Sequence, residues 1–170
     1  VNIQHPNGEN PAPYNASALV VVNGFNANTD DFEPLRVPDG DAKLTLTVAA
    51  GSVQILAHVG DPLPNSNQIL GGIYRVDGSL QVTANNPDGN MWLPLNETCT
   101  KGWMYTNWEA QPGGVSRLLY QQTAEGWKIL EGTMVDFSPV NGTWINCGGS
   151  ITPWNTVLTS EEFEPNASDF

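Results

Sequence analysis

Short runs of alternating polar and apolar residues, separated by turn-forming residues, recur along most of this chain. Runs of strand length that are rich in Val, Ile, Thr and aromatic residues are typical of antiparallel all-β domains. Asp77-Gly78 separates two of these runs, and this dipeptide is one of the strongest signals of a tight hairpin. The pattern predicts three hairpins: residues 43–48 with 52–57, residues 72–76 with 79–83, and residues 115–120 with 127–130.

No window of the sequence carries an apolar stripe with helical periodicity over three turns, so little helix is expected. The longest apolar run near the start, residues 18–22, has the length of a strand. Residues 1–17 contain several prolines and asparagines, a composition that predicts an extended N-terminal arm. Residues 18–170 are then expected to form a single all-β domain or a portion of a larger repeated architecture.

The charge balance opposes binding to anionic partners. Eighteen acidic residues stand against six basic residues, which gives a net charge of −12. Binding to nucleic acid or to an anionic membrane surface needs a basic footprint, so neither is expected. No apolar run is long enough for a transmembrane helix, and no membrane span is predicted.

Two features lead us to expect an exported protein, periplasmic, cell-surface or extracellular. The chain begins at Val1 rather than Met and carries no signal-peptide-like run, as a processed product would. Asn-x-Ser/Thr sequons, which accept glycans in a secretory pathway, occur four times. They lie at Asn15, Asn96, Asn141 and Asn166.

Large aromatic residues lie at predicted strand positions or strand ends in the middle of the chain. They are Trp92, Trp103, Tyr105, Trp108 and Trp127. Aromatic side chains in such positions usually fill a core between sheets, and this is the favoured interpretation. The alternative is that they stack against carbohydrate.

Cys147 lies in the part of the chain best suited to hold a metal ion. Gly148-Gly149 follows it and would let the backbone pass close to a ligand, and two carboxylates come soon after, Glu161 and Glu162. Adjacent strand residues point to opposite faces, so one glutamate of the pair is expected at a given site. With Cys99 elsewhere in the chain, three alternatives stay open: a Cys99–Cys147 disulfide, a metal-ligating cysteine beside a bystander, or two inert thiols.

Five blocks of sequence between residues 90 and 165 carry a family resemblance. They are Tyr-Thr-Asn-Trp-Glu at 105–109, Pro-Gly-Gly-Val-Ser-Arg-Leu at 112–118, Asp-Phe-Ser at 136–138, Asn-Cys-Gly-Gly-Ser-Ile-Thr-Pro-Trp at 146–154, and Glu-Glu at 161–162. In this order they resemble the amino-terminal part of the PhoX-type alkaline phosphatases. The block at 146–154 is the most specific, because so many fixed residues in a row rarely arise by chance.

The resemblance implies an exported β-propeller protein that hydrolyses phosphate monoesters with iron and calcium. The chain would then be a portion of the propeller. By this resemblance Cys147 would ligate iron as a thiolate, Glu161 or Glu162 would bind metal through carboxylate oxygens, and Glu109 is a further candidate. The sequence departs from the family pattern where Trp108 replaces a histidine and where Asn155 replaces a glycine.

PhoX-type enzymes are several times longer than this sequence, so catalysis would need further blades supplied elsewhere. The alternative is a non-catalytic extracellular structural protein, forming a filament or surface layer by self-association through open strand edges. A third hypothesis is a small carbohydrate-binding β-sandwich, which would leave the block at 146–154 unexplained.

Overall fold

The computed structural model of the protein describes residues 18–23 and 52–164, and their secondary structure is almost entirely β. The helical structure within these ranges is one 3₁₀ turn at Ser138–Val140, so the expected low helix content is confirmed there. The strands are β1 Ala18–Asn23, β2 Ser52–His58, β3 Gly72–Tyr74, β4 Leu80–Thr83, β5 Pro87–Pro94, β6 Lys101–Trp108, β7 Gly114–Thr123, β8 Gly126–Met134, β9 Asn146–Ile151 and β10 Val157–Glu161.

All paired strands are antiparallel, and the predicted all-β class with antiparallel sheets is confirmed. The central unit is a four-stranded sheet in the order β5-β6-β7-β8, in which each strand pairs with the next along the chain. The other described strands form three two-stranded sheets: β1-β2, β3-β4 and β9-β10. Among the described strands, no sheet closes on itself.

Two of the three predicted hairpins are present, β3-β4 and β7-β8. In the first, the Asp77 carboxylate accepts a hydrogen bond from the Ser79 amide at 2.9 Å, which stabilises the turn. The strand predicted at residues 52–57 is also present, as β2, and its partner among the described residues is β1. Residues 43–48 and the predicted arm at 1–17 lie outside the described residues.

One face of the four-stranded sheet forms the hydrophobic core. Trp108, Leu118 and Tyr120 lie on this face, and each is at most 1% exposed. Leu63 and Leu70, from the loop between β2 and β3, pack against the same cluster. Full burial of a large apolar side chain contributes about 1.5–3 kcal/mol to the free energy of unfolding, so this cluster stabilises the four-stranded sheet.

The large aromatic residues divide between the two faces of this sheet. Trp108 belongs to the core, and Trp92 and Trp127 pack against it with their rings in an edge-to-face contact at 5.6 Å. Core packing is therefore confirmed for these three tryptophans. Trp103 and Tyr105 are half-buried on the opposite face and lie outside the core cluster.

The β9-β10 hairpin packs across the face of the sheet opposite the core. Its backbone comes so close to β5 that a Cβ on Gly149 would lie 2.5 Å from the Met91 sulfur. A larger residue at this position would push the hairpin away from the sheet. The close packing brings the start of β9 next to the end of the sheet where β5 begins and β6 ends.

Candidate metal centre

The Cys147 thiol and the carboxylates of Asp88 and Glu109 come together at one end of the four-stranded sheet. One ligand atom from each residue lies within 4.8 Å of the other two. Asp88 is in β5, Glu109 directly follows β6, and Cys147 is in β9. Three segments that are distant in sequence therefore supply what we call the thiol–carboxylate group.

A β-bulge and a pair of hydrogen bonds place the two carboxylates. The register of β5 against β6 shifts between Pro87 and Asn90, and the exposed Asp88 lies in this bulge. Bulges commonly re-aim a side chain beside a functional site. The Glu109 amide donates to the Asn86 carbonyl at 3.0 Å, and the Asn86 side-chain amide donates to the Glu109 carboxylate. Both contacts hold Glu109 beside the start of β5.

Cys147 is half-buried, and its thiol donates a hydrogen bond to Asp88 Oδ2 at 3.0 Å. On the other side of the backbone, the carbonyls of Cys147 and Gly148 each accept a hydrogen bond from Asn107 Nδ2 at 2.8 Å. Ile145, two residues earlier, has a φ of +46°, which is unusual for a β-branched residue. A strained residue therefore precedes β9, and the hydrogen bonds from Asn107 hold the backbone at Cys147 in place.

Hydrogen bonding, burial and neighbouring negative charges together favour the protonated forms of Cys147 and Glu109. The hydrogen bond to Asp88, then burial, then the charges of Asp88, Glu162 and Glu109 raise the pKa of the Cys147 thiol to about 11. Burial, then a hydrogen bond with Glu162 and the charges of Asp88 and Glu162, raise the pKa of Glu109, and the hydrogen bond from Asn86 opposes this rise. A bound cation would relieve the repulsion and favour the thiolate.

The two consecutive glutamates point in different directions. The Glu162 carboxyl lies near enough to Glu109 to raise the pKa of Glu109. The Glu161 carboxylate instead accepts a hydrogen bond from the Trp144 backbone amide at 2.8 Å. Glu162 thus extends the thiol–carboxylate group, and Glu161 is engaged elsewhere.

The structure brings together two of the four sequence-predicted ligands, Cys147 and Glu109, and Glu162 lies near enough to raise the pKa of Glu109. It adds Asp88, which the sequence did not indicate. Asp88 stands in Asn-Pro-Asp-Gly at 86–89, a sequence typical of a surface turn. Its position beside Cys147 depends on the bulge in β5 and on the docking of β9, and neither is visible in the local pattern.

The other cysteine lies away from this group. Cys99 is exposed in the loop between β5 and β6, and both cysteines are free, so the alternative of a Cys99–Cys147 disulfide is wrong. The sequon residues Asn96 and Asn141 are both exposed. The other two predicted sequons, Asn15 and Asn166, lie outside the described residues.

A groove of about 990 Å³ lies between the β3-β4 hairpin and residues 135–142. Pro112, Gly113 and Gly114 line one wall of it. Its lining includes no member of the thiol–carboxylate group and no other cysteine. The groove and the candidate metal centre are therefore separate features.

The donor set fits a transition metal better than it fits calcium. Iron accepts thiolate and carboxylate ligands together. Calcium takes six to eight oxygen ligands, and a thiolate is not among its usual ligands. The three carboxylates of Asp88, Glu109 and Glu162 would supply part of a calcium shell.

Comparison with models of known protein families, with curated proteins and with solved structures found no match. Within the described residues, no helix is long and apolar enough to cross a membrane.

Proposed function

We propose that this chain is an exported protein related to the PhoX-type phosphatases, and that the thiol–carboxylate group supplies ligands to an iron- and calcium-containing centre. The observation that carries the proposal is the convergence of Asp88, Glu109 and Cys147 within 4.8 Å. Two of these residues belong to blocks of the family resemblance, and the blocks meet although they are far apart in sequence. The reaction class is phosphate monoester hydrolysis, with the fold a portion of a β-propeller.

Each residue has a defined part in this proposal. Cys147 would ligate iron as a thiolate, Asp88 and Glu109 would supply carboxylate ligands, and Glu162 would be a further carboxylate available to calcium. When bound, such ions polarise phosphoryl oxygens and neutralise developing negative charge. The chain itself supplies one thiol and three carboxylates, so further ligands from elsewhere in a propeller would complete the centre.

The family resemblance gains support from one more contact. A Cβ on Gly113, in the Pro-Gly-Gly block, would collide with Asn146 Oδ1, in the Asn-Cys block. The Gly113 amide also donates to the Thr143 carbonyl at 2.8 Å. The glycine is thus required where the two blocks touch, which gives a physical reason for both to occur in the same chain.

Metal analysis of the purified full chain tests the proposal. We expect bound iron in the wild type, a loss of iron in Cys147→Ala, and unchanged iron in the matched control Cys99→Ala. Glu161→Gln is the second control, because this carboxylate faces the Trp144 amide. A wild type without transition metal, or equal iron in wild type and Cys147→Ala, would overturn the metal centre.

A chromogenic phosphate ester tests the reaction class separately. Hydrolysis that falls with iron in Cys147→Ala supports a phosphatase. Iron binding without hydrolysis would retain the metal centre and reject catalysis by this chain by itself.

The exposed apolar residues of the β9-β10 hairpin favour a second candidate function, non-catalytic self-assembly. Among the described strands β10 pairs with β9 and with no other strand, and Trp154 and Leu158 are 73% and 58% exposed. An open strand edge with apolar side chains can pair with another copy. Light scattering should find Leu158→Lys less associated than wild type, with Val76→Lys, on another hairpin, as the control.

A further inference from the structure

We propose that Asn107 is the positioning residue of this metal centre, and that it holds the Cys147 backbone so that the thiol faces Asp88 and Glu109. This inference rests on the proposed metal centre. The side chain of Asn107 hydrogen-bonds to the Cys147 backbone and not to its thiol, so its proposed role is to orient a ligand.

The side-chain hydrogen bonds of Asn107 go to the β9-β10 hairpin. Its Nδ2 group donates to the carbonyls of Cys147 and Gly148, both at 2.8 Å, and its Oδ1 accepts from Thr159 Oγ1 at 2.9 Å. The Asn146 side-chain amide in turn donates to Thr159 Oγ1 at 3.1 Å. One side chain of the sheet thus binds both strands of the hairpin.

Because Asn107 is buried, the loss of any of these hydrogen bonds would be costly. Asn107 is 0% exposed, so no bulk water can replace a lost partner. The residue also sits on rigid β6, one position before the core residue Trp108 and two before Glu109. A rotation of the Cys147 backbone would break at least one of these hydrogen bonds, which fixes the direction in which the Cys147 side chain leaves the strand.

Gly89 makes room for this arrangement. A Cβ at Gly89 would lie 2.5 Å from the Cys147 carbonyl oxygen and 3.2 Å from Asn107 Nδ2. The neighbouring residue is Asp88, which receives the Cys147 hydrogen bond. Gly89 therefore allows β5 to pass directly under the peptide that Asn107 holds.

Cobalt(II) is the probe for the test, because a thiolate–cobalt bond gives a charge-transfer absorption that reports the sulfur ligand directly. We expect Asn107→Leu, which is similar in volume and lacks the amide donors, to weaken cobalt binding about 10–100-fold, as changes to outer-shell partners of metal ligands do. The charge-transfer band per bound cobalt should also shift or weaken. Gly89→Ala should have the same effect by a different route, with all hydrogen-bonding groups retained.

Thr106→Val is the matched control. Thr106 is as buried as Asn107, is its neighbour on β6, and donates to Asn90 Oδ1 at 2.7 Å on the opposite face of the sheet. Thr106→Val should be less stable than wild type, but its cobalt affinity and charge-transfer band should be unchanged. If the role of Asn107 were purely structural, Asn107→Leu would also leave the cobalt affinity and the band unchanged.

The outcomes separate the two proposals. A wild type that binds no cobalt through sulfur overturns the metal centre and this inference with it. A wild type that binds cobalt, with Asn107→Leu and Gly89→Ala equal to it in affinity and spectrum, overturns this inference and leaves the metal centre intact. Should Asn107→Leu fail to fold, Gly89→Ala decides the question.

Discussion

The Cys147 thiol donates a hydrogen bond to the Asp88 carboxylate at 3.0 Å, across 59 positions of sequence. In this pairing Asp88 stabilises the protonated thiol, because a proton between sulfur and carboxylate is lost when the thiolate forms. Without a cation, the hydrogen bond to Asp88 keeps the Cys147 sulfur protonated as a thiol. In the proposed metal centre the same two groups would be neighbouring ligands.

Replacing Asp88 should change the reactivity of Cys147 toward iodoacetamide. The wild-type thiol, whose pKa is about 11, should alkylate slowly at neutral pH and faster as the pH rises toward that value. Asp88→Asn removes the carboxylate whose hydrogen bond with the thiol is the main cause of the raised pKa. The alkylation rate near pH 8 should rise about tenfold, corresponding to one unit of pKa.

The measurement is the pH dependence of alkylation, made in a Cys99→Ser background and in the presence of a chelator. The Cys99 replacement is needed because Cys99 is exposed and would react as well. Superimposable pH profiles for the two proteins would contradict the role given to Asp88.

The part of the site that is local in sequence could be predicted, and the part that depends on packing could not. The block around Cys147 and the nearby glutamates stands out because thiol, glycines and carboxylates follow each other closely. The choice of Glu162 over Glu161 depends on how β10 ends against Trp144. Asp88 joins the group only because the β9-β10 hairpin docks on β5, a contact between segments with no shared local pattern.

Gly113→Ala should destabilise the protein. The added Cβ would collide with Asn146 Oδ1 and lie 2.8 Å from the Ile145 amide nitrogen, both of which are held in place by their own hydrogen bonds. We expect a loss of about 1–3 kcal/mol in the free energy of unfolding, the usual cost of overpacking. Urea denaturation followed by tryptophan fluorescence measures it.

Gly148→Ala is the control for this prediction. The one atom near an added Cβ there is Ser160 Oγ at 3.2 Å, the end of a small exposed side chain that can move. The change should cost less than about 0.5 kcal/mol, as most surface substitutions do. Equal losses in the two variants would show that the collision at Gly113 is relieved without cost.

Trp108→His tests whether this position is structural in this chain. The resembled family carries a histidine here, but Trp108 is 1% exposed and packs in the core. The smaller, polar imidazole would leave a cavity and a buried polar group, at a cost of about 3–5 kcal/mol. Trp154→His, at a position 73% exposed, should cost less than about 0.5 kcal/mol. Similar urea midpoints for the two variants would contradict a core role for Trp108.

The strands and hairpins themselves were predictable because their signals are short-range. Asp77-Gly78 sets the β3-β4 turn, and the alternating pattern of residues 115–120 and 127–130 identifies β7 and β8. Which face each aromatic residue occupies was harder, since Trp103 and Trp108 both look like core residues in sequence. The odd spacing between them places them on opposite faces of the same strand.

Glu109→Gln should make the metal-free protein more stable at neutral pH. Burial is the main reason that the pKa of Glu109 is raised, so the folded state disfavours its ionised form. The stability linked to this group is therefore fully present at low pH and is lost as the pH rises through the raised pKa. The glutamine removes that loss, and the free energy of unfolding in chelator should exceed that of wild type at pH 7 and approach it near pH 4.

Urea denaturation at both pH values measures this difference, with the exposed loop variant Glu97→Gln as the control that should match wild type. Addition of a transition metal should reverse the order at pH 7, because the ion stabilises the wild type by mass action and the glutamine variant has one charged ligand fewer. A Glu109→Gln variant that is less stable than wild type in chelator at pH 7 would contradict the unfavourable effect of burial and neighbouring charges on ionised Glu109.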